Sequence, residues 1–108
     1  MNLEEIQSLV AGGQYSVRPH VVRHMVEEAF FETDLLQAIS DGDIIEKYPE
    51  RHSCLILGYY AFGSAKGRAL HVLVDYTERE CLDIVTAYEP RSPWWRSPTE
   101  RGDFDGSR

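Results

Sequence analysis

The sequence predicts an α+β domain in which N-terminal helices pack on one antiparallel sheet of about four strands. Two observations support this prediction. Apolar residues recur with helical spacing through the first 40 positions, and from Asp43 onward they alternate with a period of two. The turns between the later strands are short, which requires antiparallel neighbours. At 108 residues with 43% hydrophobic content, the chain has the size and composition of one globular domain.

The first and third helices are predicted from their caps. Asn2 can cap the first helix, and Gly12 with the following glycine ends it. Thr33 or Asp34 can cap the third helix, which ends near Gly42 because glycine readily adopts the positive φ of a helix C-terminus.

The second helix is predicted to begin at Pro19, since proline suits a first helical turn. At about 100° per residue, one face collects the apolar side chains that we expect against the core. These are Val22, Met25, Val26, Ala29 and Phe30. The opposite face, which we expect to point away from the sheet, carries His20, His24, Glu28 and Phe31.

The four strands are predicted at residues 44–48, 53–62, 69–76 and 81–88, with a hairpin loop at 63–67. In the last strand, strict alternation places Thr86 and Tyr88 on the face of Leu82 and Ile84, which indicates the core and its edge.

The residues after Pro90 are rich in proline, serine, arginine and glycine. We expect Trp94 and Trp95 to pack back on the domain. The sequence therefore predicts one domain over residues 1–96 and a flexible C-terminal tail over residues 97–108.

The formal net charge of −7 works against general nucleic-acid binding, because a phosphate backbone attracts clustered lysines and arginines. Carboxylates concentrate in an acidic flank between Glu27 and Glu50, where eight acidic residues accompany one lysine. This flank predicts either a solvated surface or a docking face for a basic protein.

Cys54 and Cys81 are predicted to be buried, reduced thiols, because they fall in strands rather than in a CxxC pair. The sequence has no run of 18 apolar residues and no basic leader at Met1. We therefore expect a cytoplasmic protein without membrane contact. It also lacks a glycine-rich phosphate loop and a dinucleotide fingerprint, and we expect no cofactor.

Four segments together resemble the small bacterial family catalogued as domain of unknown function 4258. They are His20 at a helix start, Ile44-Ile45-Glu46-Lys47-Tyr48-Pro49, Gly67-Arg68-Ala69-Leu70-His71-Val72, and Thr86-Ala87-Tyr88-Glu89-Pro90 followed by tryptophan. The resemblance spans about residues 15–96. That family is distantly similar to the RelE/BrnT-like toxins, two-layer proteins that cleave RNA. The resemblance thus implies a toxin-like ribonuclease of a toxin–antitoxin pair, with RNA as its partner.

The candidate catalytic residues are His20, Arg68, His71 and Tyr88. His71 interrupts an apolar strand. With a carboxylate beside it, either Asp75 or Asp83, this histidine could act as a general acid or base. Arg68 can hold a phosphate, and Tyr88 can donate a proton. Each residue also has a structural interpretation, as a hydrogen-bonded core histidine, a strand-end charge or an aromatic residue at the edge of the core.

Two other functions remain open. A non-catalytic interaction module would use the acidic flank to bind a basic protein, and the helix face with Phe31 could form a homodimer. A metal-binding domain would use His20 and His24, one helical turn apart, with Glu28 as a third ligand.

Overall fold

The structure, a computed structural model, describes residues 1–60, 67–91 and 94–102, and it confirms the α+β fold. Its helices are α1 Leu3–Ala11, α2 Pro19–Glu28 and α3 Glu32–Ser40. Its strands are β1 Tyr15–Val17, β2 Asp43–Tyr48, β3 Ser53–Tyr60, β4 Arg68–Asp75 and β5 Leu82–Tyr88. A short 3-10 turn, Pro49–Arg51, joins β2 to β3. The predicted hairpin loop and Phe62 lie largely outside the described residues.

The sheet has five strands in the order β1-β5-β4-β3-β2. The four predicted strands form the antiparallel part, and β1 adds a fifth strand that pairs parallel with β5. With only three residues, Tyr15–Val17 is too short to show a clear alternation. Because β1 pairs with β5, the next residue, Arg18, lies beside Asp83 of β5.

The helices cover one face of the sheet, with α3 packed on β3 and β4 and α2 packed on β5. Asn2 caps α1 through the Glu5 amide, as predicted. The third helix begins earlier than predicted, at Glu32, and Asp34 in its first turn accepts a hydrogen bond from the Phe31 amide. The covered face is the core of the protein. Its wholly buried side chains include Ile6, Val21, Leu35, Ile39, Ile56, Leu70, Val72 and Ile84.

The predicted core face of α2 is wrong for Val22, Val26 and Ala29, whereas Phe30 is buried as predicted and Met25 packs partly against the core. Val22 and Val26 are 48% and 79% exposed, whereas Val21 is buried. The helix ends at Glu28, and Ala29 takes a left-handed conformation with φ 58°, so Ala29 and Phe30 leave the helical pattern. The helical part of the predicted apolar face is thus only Val22, Met25 and Val26, which is too little to fix the orientation of the helix. The polar side with Glu28 turns towards the end of β5, and homodimerisation through α2 stays a prediction.

The predicted placement of Thr86 and Tyr88 in the core is also wrong, because β5 contains a bulge. Val74 pairs with Ile84 and Leu73 pairs with Thr86, which leaves Val85 as an extra residue. The bulge reverses the alternation, so Ala87 joins the covered face. Thr86 and Tyr88 point to the face that carries no helix, called the open face below. A second bulge, at Ile45 in β2, places Glu46 and Tyr48 on the same open face.

The segment of residues 94–102, called the strap below, crosses the open face. Trp95 is buried, as predicted for the tryptophans, while Trp94 is 58% exposed. Trp95 forms an isolated β-bridge with Arg101. The expected domain boundary at residue 96 falls inside this strap. Flexibility of the tail stays a prediction, and residues 103–108 lie outside the described part of the chain.

Both cysteines are free thiols. Cys54 is buried as predicted, and burial raises its thiol pKa to about 11. Cys81 is exposed, which corrects the prediction, because β5 begins one residue later and Cys81 remains in the preceding turn. Among the described helices, none has the length and apolarity needed to cross a membrane.

Candidate functional site

A cleft of about 430 Å³ lies on the open face and gathers the arginines and tyrosines of that face. Its lining residues are Arg18, Tyr48, Arg51, Ser53, Leu55, Leu73, Asp75, Val85, Thr86, Tyr88 and Arg101. We call it the arginine cleft, because it combines three arginines with one aspartate although the whole chain is acidic. Such a concentration of guanidinium groups suits an anionic ligand.

Two of the arginines are held in place by carboxylates at the edges of the cleft. Arg18 directs Nε and Nη2 to Asp83, with the shortest distance 2.7 Å. Arg101, from the strap, makes the same forked contact with Glu46 at 2.7 and 3.1 Å. Tyr48 donates its hydroxyl hydrogen bond to Glu46. The carboxylates fix the planes of both guanidinium groups.

The arginines keep donors for a ligand. In the described part of the chain, the Nη1 groups of Arg18 and Arg101 make no hydrogen bond, so two N–H donors remain on each. Arg51 is exposed at the end of the 3-10 turn and has no ion pair with a described residue. The cleft therefore offers oriented donors from two arginines and an exposed charge from a third.

His71 lies beside this cleft, fully buried beneath the strap. Its ring meets the Trp95 ring edge to face, with centroids 4.3 Å apart. Its Nε2 is 2.7 Å from the Pro98 carbonyl oxygen, and its Nδ1 is 3.3 Å from the Tyr88 hydroxyl. A carbonyl oxygen only accepts, so Nε2 carries the proton. In neutral His71, Nδ1 is therefore the acceptor, and the Tyr88 hydroxyl donates to it.

The environment moves the pKa values of this pair apart. Burial lowers the pKa of His71, and the Pro98 carbonyl and Glu46 partly oppose that effect. Burial raises the pKa of Tyr88, and the neighbouring Trp95 and Arg101 act in the opposite direction. At neutral pH the pair thus consists of a neutral imidazole and a protonated phenol.

The structure brings together two of the four predicted catalytic residues, His71 and Tyr88. The carboxylates expected beside His71 lie elsewhere, since Asp83 pairs with Arg18. Arg68 points to the covered face, where its Nε is 2.8 Å from Glu89 and its guanidinium lies over the Tyr60 ring.

His20 stays on α2, with its ring 6.3 Å from that of His24. His24 in turn contacts Glu28 at 3.2 Å. Among the described residues, no group of three histidine, cysteine or acidic side chains has the arrangement of a metal site. A metal site at these residues would therefore have to be assembled on binding.

Much of the acidic flank is engaged inside the molecule. Glu28 accepts from the Glu89 amide, Glu32 from the Tyr15 hydroxyl, Asp34 from the amide that precedes its own helix, and Glu46 from Arg101. Half of the eight carboxylates therefore have structural partners. That leaves fewer charges for docking a basic protein.

Sequence reasoning did not identify Arg18, Arg51 and Arg101 as site residues. Arg18 is brought in by the unpredicted strand β1, Arg51 by a turn, and Arg101 by the strap. Arg18 directly follows β1 and Arg51 lies two residues before β3, so an arginine next to a strand end was a usable signal for these two but not for Arg101. Periodicity alone does not show that these three residues meet.

The sequence model of one protein family, Domain of unknown function (DUF4258), matches residues 17–89 of this chain, so the chain belongs to that family. No curated protein and no solved structure matches the chain. The matched region contains Arg18, Arg51, His71 and Tyr88, and the strap with Arg101 lies beyond it.

Proposed function

We propose that this chain, a member of a family without an assigned activity, is a toxin-like ribonuclease that binds RNA in the arginine cleft. The observation that supports this most strongly is the His71–Tyr88 pair beside three arginines. A hydrogen-bonded imidazole and phenol can move a proton, and the arginines can stabilise negative charge on phosphorus.

The chemistry needs no group beyond the RNA and the protein. The ribose 2′-hydroxyl attacks the adjacent phosphorus, and the bond from phosphorus to the 5′-oxygen breaks. The products are a 2′,3′-cyclic phosphate and a 5′-hydroxyl end. Charge develops on the non-bridging oxygens, where each oriented donor that is removed typically costs about 10²–10³ in rate. Arg18, Arg51 and Arg101 supply those donors.

The proton moves through Tyr88 and His71. The phenol oxygen takes the proton of the attacking 2′-hydroxyl as its own proton passes to His71 Nδ1. The imidazolium keeps its Nε2 hydrogen bond to Pro98, which supports the positive charge. The same path reversed delivers the proton to the departing 5′-oxygen, so the pair ends as it began.

Local charge resolves the conflict with the net charge of −7. Most acidic side chains of the flank lie on α2, α3 and the start of β2, whereas the arginine cleft is on the open face, where Glu46 pairs with Arg101. Exposed charges farther apart than a Debye length of about 8 Å are largely screened at physiological salt. Asp83 and Glu46 neutralise two of the arginines, so the cleft would bind phosphate with modest affinity, through the remaining N–H donors of Arg18 and Arg101 and the charge of Arg51.

The direct test is cleavage of a single-stranded RNA labelled at its 5′ end, with EDTA present. We expect fragments with 2′,3′-cyclic phosphate ends, and we expect Arg51→Gln to lower the rate at least about tenfold. The matched control is Arg79→Gln, because this substitution removes the same charge near α1, away from the cleft.

A folded wild-type protein that leaves RNA intact would overturn the proposal. Equal losses in Arg51→Gln and Arg79→Gln would show that only general charge matters. Membership of a toxin–antitoxin pair and the cytoplasmic location also remain proposals, which the neighbouring gene and cell fractionation would test.

A further inference from the structure

A second cleft, of about 330 Å³, lies next to the arginine cleft at the end of β5. Its lining residues are Glu28, Tyr88, Glu89, Arg91, Trp94, Trp95 and Arg101. Tyr88 and Arg101 line both clefts, so the two spaces meet at the residues that would hold the reacting phosphate. A ligand longer than one phosphate group can therefore extend from one cleft into the other.

The two clefts differ in charge. The arginine cleft is lined by three arginines and one aspartate, with Asp83 and Glu46 paired to two of the arginines at its edges. The second cleft is lined by two arginines and two glutamates, and the Glu28 carboxylate contacts the Glu89 amide and His24 rather than a described arginine. The carboxylates disfavour a second phosphate there. They favour an uncharged group that carries hydrogen-bond donors, which in RNA is the edge of a base.

Trp94 supplies a surface on which a base can stack. Its side chain is 58% exposed at the rim of the second cleft, although tryptophan is usually well buried. Its neighbour Trp95 is buried against His71, whereas more than half of the Trp94 side chain is in solvent. Stacking of a base on an aromatic side chain contributes strongly to binding of single-stranded nucleic acid.

Glu28 and Glu89 both line this cleft and are in contact with each other. Glu28 Oε1 accepts from the Glu89 amide at 2.9 Å, and Glu28 Oε2 contacts His24. Glu89 uses one oxygen for Arg68 and the other for Arg91. Each oxygen has one described partner, and a carboxylate has about four acceptor positions. The pair thus keeps acceptors for a base.

We infer that this second cleft is a base-binding subsite in which a guanine stacks on Trp94 and donates to Glu28. Guanine fits best because its Watson–Crick edge carries adjacent N1–H and N2–H donors that match one carboxylate. The inference rests on the proposed function, since it assigns the base next to the cleaved phosphate. It also places Trp94 and Arg101, which lie beyond the family match, in substrate selection.

The test uses ribonucleoside monophosphates and measures binding by isothermal titration calorimetry, so that it depends neither on cleavage nor on Trp94 as a reporter. We expect GMP to bind the wild type at least about tenfold more tightly than AMP or CMP. Trp94→Ala should weaken GMP binding about tenfold, and Trp94→Phe should weaken it less, because a phenyl ring still stacks. Arg79→Gln again serves as the control, and its affinity for GMP should equal that of the wild type.

A Glu28→Gln variant tests the hydrogen-bonding edge. We expect it to lose most of the preference for GMP over AMP while it keeps the stacking on Trp94. Equal binding of GMP and AMP by the wild type would overturn the inference, as would unchanged GMP binding in Trp94→Ala.

The two proposals fail in different ways. Selective GMP binding without RNA cleavage would reject the ribonuclease proposal and support the base-binding subsite. RNA cleavage without a preference for guanine next to the cut, together with no GMP binding, would reject the subsite and support the ribonuclease proposal.

Discussion

The two faces of the sheet come from the same strands but are stabilised in different ways. On the covered face, Ile56, Leu70 and Val72 are wholly buried beneath the helices. On the open face, His71 is equally buried, yet its cover is the strap and its contacts are polar as well as apolar. The covered face is therefore largely apolar, with Arg68 and Glu89 paired at its end, while the open face can hold charged and titratable groups near solvent.

Because of this difference, the stability of the fold and the proposed RNA cleavage should depend on different faces of the sheet. Apolar burial on the covered face contributes most of the hydrophobic free energy of folding, at roughly 25 cal/mol per Å². The open face holds the arginine cleft and the His71–Tyr88 pair, where hydrogen bonds and ion pairs decide geometry. Substitutions on the covered face should therefore mainly change the free energy of unfolding, and those in the arginine cleft should mainly change RNA binding and cleavage.

The largest loss of stability is expected at Gly58 on the covered face. A Cβ at this position would overlap the backbone of Ala38 in α3, so the helix would have to move away from β3. We expect Gly58→Ala to lower the free energy of unfolding by about 3 kcal/mol, measured by urea denaturation. The control is Tyr59→Thr on the open face, with an effect within about 1 kcal/mol. Similar losses in both variants would contradict the contrast between the faces.

A smaller loss is expected when the strap loses its anchor. His71→Ala removes a buried ring and leaves the Pro98 carbonyl without its donor. We expect a destabilisation of about 2 kcal/mol together with a red shift of the tryptophan emission, as Trp95 becomes exposed.

Val72→Ala, one residue away on the covered face, should also destabilise the protein but leave the emission unchanged. A red shift in native Val72→Ala, or none in His71→Ala, would show that the strap does not depend on His71.

A pH dependence should follow from the lowered pKa of His71. The unfolded chain binds this proton near the ordinary value of about 6.5, while the folded protein binds it only at lower pH. Stability from this group is thus complete above about pH 6.5 and decreases as the pH falls below it. We expect the melting temperature to drop more between about pH 7.5 and 5.5 in the wild type than in His71→Gln. Parallel curves would contradict the burial of a neutral imidazole.

The smallest effect is expected at the ion pair of Arg101 and Glu46. Both side chains are partly exposed, and such pairs contribute about 0–1 kcal/mol. Arg101→Gln should therefore change stability by less than about 1 kcal/mol in a denaturation experiment. The same variant should lower RNA binding clearly, measured by fluorescence anisotropy at two salt concentrations. A large loss of stability with unchanged binding would assign Arg101 to the fold alone.

The centre of the covered face, on β3 and β4, was predictable from the sequence because its residues alternate with a period of two, whereas the orientation of α2 was not. The alternation from β2 to β5 and the caps of α1 indicated the two-layer arrangement. The open face was not predictable in the same way, since a one-residue bulge at Val85 reverses which side Tyr88 faces. His71 and Tyr88 were selected by residue type, and their contact depends on that bulge. Arg101 comes from a strap that is positioned by long-range contacts with Glu46 and Tyr48.

The central claim is that the open face cleaves RNA through the His71–Tyr88 pair. The most direct measurement is the rate of RNA cleavage by Tyr88→Phe compared with the wild type, in EDTA, with both proteins shown to be folded. The variant removes one oxygen atom and keeps the aromatic packing against His71. We expect a rate at least about 10²-fold lower, with unchanged RNA affinity. Equal rates, or no cleavage by the folded wild type, would contradict this claim.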